Sequence, residues 1–284
     1  MIFFVLTIAM IIMFIIKYYK HHHHHHHFYS NFEQFNQYYC QPFASLINDN
    51  ENFPLSAIDR FHKCENKNNH HIKSNMDCMS IYKYIQEFIC QSNECTNRPG
   101  PVCPFVPTSL RQNSMYFFIS NDQYNTKERI IKMVEQCKYD FLYNLKPNDG
   151  NRDRLIYKCL VMLIRSSDVP HSLIDEIQIE LKPSFLQDGL MFGEFHQSAN
   201  SNAIRNESFY PTRTNVPLLV IRYMVANDII FLTNQEKKYP VETCVNMIKK
   251  YLELYHLGSL YRSKPNHLQS ANDILEQLNC SAKE

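Results

Sequence analysis

Glycine is scarce in this chain: Gly100, Gly150, Gly189, Gly193 and Gly258 are the only five in 284 residues. Phosphate-cradling loops need closely spaced glycines, because backbone N–H groups must approach the phosphate with no Cβ in the way. Only Gly189 and Gly193 are neighbours, and no G-x-G-x-x-G, G-x-x-x-x-G-K or G-x-S-x-G occurs. The usual dinucleotide-binding fold, a P-loop nucleotidase and an α/β-hydrolase are therefore disfavoured. An excess of charge is lacking too. The net charge of +1 gives no global field to steer the chain to nucleic acid, and no nucleic-acid partner is expected. Tryptophan is absent, while Ile, Asn, Lys, Tyr and Phe are frequent, which we read as genome bias rather than function.

What the chain does have is an apolar start. Residues 2–16 are apolar except for Thr7, and Lys17, Tyr18, Tyr19 and Lys20 follow. As a helix this run spans about 24 Å against about 30 Å of hydrocarbon, and snorkelling lysines and interfacial tyrosines extend it. Residues 1–20 are thus expected to be a single-pass transmembrane anchor; a cleaved signal peptide is the alternative. The lysines lie on the C-terminal flank, so the positive-inside rule places the domain in the cytosol. The signal-peptide reading would place it in the secretory lumen or outside the cell. Ten cysteines could form a disulfide set, but a chain of this length does not need staples, and free thiols are expected. Asn206-Glu207-Ser208 and Asn279-Cys280-Ser281 match the glycosylation pattern, which arises by chance in an Asn-rich chain.

His21 to His27 is a homopolymer run, read as repeat expansion in a linker or as a metal-binding tract. Residues 21–75 form a His-, Asn-, Gln- and Tyr-rich tether, and residues 76–284 a single globular domain. Helical spacing of apolar residues predicts helices over Ser80 to Gln91, from Asn125 through Leu145, over Pro170 to Lys182 with Pro183 as the stop, over Pro240 to Leu257 and over Ala271 to Leu278. Apolar runs predict strands over Met115 to Ile119, Leu155 to Ile164, Leu190 to Phe195 and Val216 to Met224. Helices and strands mix without strict alternation. The expected class is α+β, with a mixed or antiparallel central sheet flanked by helices.

Three segments place polar residues inside apolar stretches. In Arg98 to Pro107, four prolines fix the backbone around Cys103 ahead of an expected strand. Its thiolate could serve as nucleophile or metal ligand, or be a packed buried thiol. In Gly189 to His196, strand alternation puts Glu194 and His196 on one side. A carboxylate beside an imidazole is the minimal acid–base pair or metal site, or a hydrogen-bonded pair at a strand end. In Phe209 to Met224, Arg213 lies in a proline-fixed loop and Arg222 within a strand. Arg222 must find an anion there: Glu194, Asp228 or a ligand carboxylate. The candidate site therefore comprises Cys103, Glu194 and His196 as reactive groups, with His196 as metal ligand, and Arg213, Arg222 and Asp228 as ligand anchors.

The same segments carry a resemblance. They read RPGPVCPFVP at 98–107, GLMFGEFHQ at 189–197 and FYPTRTNVPLLVIRYMVANDIIFL at 209–232. This resembles a mostly bacterial family catalogued as a domain of unknown function, with the pattern RPGPVCPFVP, GLMxGEFHP and FxPxRSPVPxLxIRxMVxxDxxFL, over roughly residues 80–235. The chain departs at Gln197, where the family has proline, and at Thr214-Asn215, where it has Ser-Pro. Cys103-Pro104-Phe105 is also distantly similar to a motif of the FPC/CPF family, which includes haem-dependent N-hydroxylases. The primary expectation is a membrane-tethered domain that binds a small ligand. The alternative, implied by the second similarity, is an oxidative enzyme acting on a small amine or amino acid, with haem or a metal ion held by His196.

Overall fold

The computed structural model describes residues 41–42, 77, 80–120, 125–147, 151–164, 169–233 and 235–281. The anchor at 1–20 and nearly all of the tether at 21–75 lie outside them. Among the described residues no helix is long and apolar enough to cross a membrane.

The architecture is α+β, built on a mixed sheet. Its strands are β1 (Gln41–Pro42), β2 (Met115–Ile119), β3 (Cys159–Leu163), β4 (Leu190–Phe195) and β5 (Leu218–Tyr223), in the order β1-β2-β3-β5-β4. β2 and β3 run parallel, and β5 lies between β3 and β4, antiparallel to both. β2 and β3 read as continuous apolar runs because they are covered on both faces. β4, by contrast, is buried over Leu190 to Phe192 and opens over Gly193 to Phe195, at the edge of the sheet.

The helices are α1 (Val106–Arg111), α2 (Lys127–Tyr143), the short α3 (Arg152–Leu155), α4 (His171–Gln187), α5 (Val241–His256) and α6 (Pro265–Ser281). α2 and α4 cover one face of the sheet, where Phe141 meets Tyr223 at 5.2 Å and Phe185 stacks on Phe192 at 4.4 Å between ring centres. On the other face Val161, Leu163 and Leu218 pack with Ile81, Ile85 and α1. Beyond the Met191 end of β4, the α5–α6 pair closes a second core around Met224, Ile248 and Tyr251.

Four expectations are corrected. Cys103 precedes helix α1, not a strand, because Pro107 near the start of that helix supplies a preset φ where no N–H is needed. α4 continues four residues past Pro183. Pro183 removes one helical hydrogen bond, but Phe185 and Leu186 are fully buried and packing holds the last turn. β3 begins at Cys159, because Lys158 turns inward to donate from Nζ to the Pro147 carbonyl at 3.0 Å. The C-terminal helix runs from Pro265, earlier than its apolar spacing indicates. The helix expected over Ser80 to Gln91 is present from Ser80 to Ile89, with Tyr84–Ile89 in π-helical geometry and Cys90 as its C-cap.

Candidate functional site

The edge strand β4 makes the floor of a cleft of about 390 Å³. In an antiparallel pair, alternate residues turn their backbone groups away from the partner. Met224 N–H donates to the Gly189 carbonyl, so Phe192 and Glu194 are among those that face outward. α4 covers this edge with one polar stripe. Asp175, Gln178 and Lys182 recur at helical spacing. Gln178 Nε2 donates to the outward Phe192 carbonyl at 3.0 Å, satisfying one exposed edge group and leaving the rest of the edge towards the cleft.

Lys182 and Gln178 form one wall of the cleft. Asn200, Ser201, Asn202 and Thr212 form another, and Ile230, Phe231, Gln235 and Lys238 a third. Glu194 lines it as well, and Ser201 Oγ donates to Glu194 Oε1 at 3.2 Å. Lys182 is 7% exposed. Its Nζ donates to the Phe231 carbonyl at 3.3 Å and to Gln235 Oε1 at 3.2 Å. Burial pushes the Lys182 pKa down to about 8, and Lys238 adds to the shift, while Glu194, Asp228 and Cys244 oppose it. The Tyr239 hydroxyl is buried with no hydrogen-bond partner among the described residues. Its pKa is raised, first by burial and then by the Glu194 charge.

The sequence-predicted residues divide among several surroundings. Glu194 and Arg222 line the cleft. Arg222 pairs with Asp228 through two hydrogen bonds, Nη1 to Oδ2 at 2.7 Å and Nη2 to Oδ1 at 2.6 Å. Asp228 is 2% exposed and also accepts the Val225 N–H at 2.8 Å. Of the partners open to Arg222, the fold selects Asp228. Cys103 is half-buried and lies within electrostatic reach of Tyr84, Cys90, Cys159 and Arg222. Burial, followed by the proximity of Cys103, pushes the Cys159 thiol up to about 12, with Arg222 opposing. Tyr84, in the π-helical turn, donates to the Pro211 carbonyl and ties that turn to the proline loop.

His196 lies just past β4 and is fully buried. Its Nε2 meets Asp175 Oδ1 at 2.9 Å, its Nδ1 meets Ser198 Oγ at 3.2 Å, and its ring stacks on His171 at 4.8 Å. It is thus paired with α4, while Glu194 is paired with Ser201. The strand ends between them, so the alternation that would hold them side by side does not continue. Arg213 is exposed; its guanidinium sits 3.9 Å from the Tyr210 ring centre and its Nε donates to the Ala199 carbonyl at 3.0 Å. Among the described residues no group of three or more His, Cys, Asp or Glu side chains is placed to hold a metal ion. The described cysteines Cys90, Cys95, Cys103, Cys137, Cys159, Cys244 and Cys280 are in the thiol form.

Sequence reasoning missed Lys182, Gln178 and Lys238. Lys182 sits in a helix whose other charges are solvated, and only the placement of β4 against α4 buries it. A faint signal existed: Gln178 and Lys182 fall among the buried positions Ile174, Ile177, Leu181 and Phe185 of the amphipathic pattern.

No curated protein and no solved structure matches the chain significantly. Residues 78–264, well over half of the chain, match the family described as a domain of unknown function (DUF6875). The chain belongs to that family.

Proposed function

We propose that this protein is a membrane-tethered domain that binds a small ligand in the cleft along the free edge of β4. Gly193 is the observation that carries this reading. It sits in the strand interior on the cleft floor, where glycine weakens a strand by about 0.5–1 kcal/mol relative to alanine. Nothing among the described residues requires it. Its φ is not positive, and the nearest atom a Cβ would meet is Phe195 Cε2 at 3.8 Å, an ordinary contact. A missing side chain over a concave, partly polar floor suits a bound group that approaches the backbone.

The oxidative alternative gains no comparable support, since both ring nitrogens of His196 are already engaged. The test is a thermal-shift screen of the full-length protein against small organic acids, amines and nucleosides, repeated on Gly193→Leu. We expect Gly193→Leu to fold with an unchanged or higher melting temperature and to lose the stabilisation that hits confer on the wild type. Hits that stabilise both proteins equally would refute the cleft, as would a screen without hits. For the tether, the full-length chain is expected to stay with membranes on carbonate extraction; recovery in the soluble fraction with an intact N-terminus would refute it.

A further inference from the structure

Lys182 is a buried cation for which the described residues supply no counter-ion. It lines the cleft from α4, and its two hydrogen-bond acceptors, the Phe231 carbonyl and Gln235 Oε1, are neutral. It forms none of the ion pairs found among the described residues. A buried ammonium without a carboxylate is unfavourable, and a methionine would fill the same space without a charge. Arg222, a half-buried cation of the lining, is neutralised by Asp228 through both terminal nitrogens. Lys238 adds a second, exposed cation to the lining, close enough to Lys182 to act on it electrostatically. With Arg222 neutralised, Lys182 and Lys238 outnumber Glu194, the carboxylate of the lining.

We infer that Lys182, together with Lys238, seats an anionic oxygen group, a carboxylate or a phosphate, of the cleft's ligand. The inference rests on the small-ligand reading above and specifies its chemistry. An ammonium carries three N–H donors, and the protein occupies two on Lys182. The third is left for the anion. The ligand's body would lie on Met191, Gly193 and Phe195 of the floor. The same side chains explain why the fold keeps a charge there: the anion completes an ion pair that the chain leaves half-built.

The experiment measures the melting temperature and binding heat of the full-length protein with acetate, with its neutral isostere acetamide, and with inorganic phosphate, at constant ionic strength. At least one anion should stabilise the wild type, and acetamide should not; which anion does so separates a carboxylate ligand from a phosphate ligand. Affinity should fall about tenfold or more in Lys182→Met, as expected for a lost charge-assisted hydrogen bond. It should fall also in Lys238→Met, an exposed position whose replacement does not disturb the core. Anion binding unchanged in both variants overturns the inference, as does a wild type that neither anion stabilises. Should neutral ligands bind in a Gly193-dependent manner while Lys182→Met leaves them unaffected, the anion seat fails and the cleft survives. If neither charged nor neutral probes depend on Gly193, both readings fail.

Discussion

Replacing Asp228 by asparagine removes one charge and almost no volume, at the best-buried ion pair among the described residues. Asp228 holds both terminal nitrogens of Arg222 and the Val225 N–H. Its side chain is 2% exposed, whereas that of Arg222 retains 28%. Removing one partner of a buried pair destabilises by about 3–5 kcal/mol, mainly because the remaining charge is left uncompensated. Residual exposure lets the Arg222 guanidinium rehydrate in part, so the expected loss is about 3 kcal/mol. Urea unfolding followed by circular dichroism should show a lower midpoint with an unchanged slope. The double variant Arg222→Met with Asp228→Leu buries no charge. It should recover most of the loss, except for about 1–2 kcal/mol from the unsatisfied Val225 N–H. A loss below about 1 kcal/mol in Asp228→Asn would refute the buried pair, as would a double variant worse than the single one.

The two buried lysines give stability an unusual pH dependence. Burial lowers both Lys158 and Lys182 to about 8 from an ordinary value of 10.5. Between those values the unfolded chain holds protons that the folded one lacks, so stability rises with pH from 7 to 9, by about 1 kcal/mol per lysine. Above pH 9 the raised thiols of Cys90 and Cys159 oppose the trend. Lys158→Met should remove about half of the rise in urea midpoints measured across that range, and a flat wild-type profile would contradict the burial of both. His196→Ala should destabilise by about 1–3 kcal/mol, because Asp175 loses its imidazole partner and Ser198 keeps only His171. It should leave acetate or phosphate binding intact, and loss of binding with unchanged stability would instead make His196 part of the ligand site.

The α+β class, the positions of β2, β4 and β5, and helices α2, α4 and α5 were legible in the residue order, because each is a local pattern of buried and exposed positions read at period 2 or 3.6. It also marked Arg222 as a cation needing an anion, since a charge inside an apolar strand has few alternatives. It could not choose Asp228 over Glu194, a choice made by the short helical segment Ala226–Phe231 folding back beside β5. Long-range packing sets the strand order, in which β5 inserts between β3 and β4 and leaves β4 at the edge. β4 ends after Phe195, which separates Glu194 in the cleft lining from His196 bound to α4. The placement of α4 against β4 buries Lys182, whose local surroundings in the sequence resemble any solvated helix position. Strand order and helix-to-edge docking depend on contacts between residues far apart in the chain, and no local periodicity encodes them.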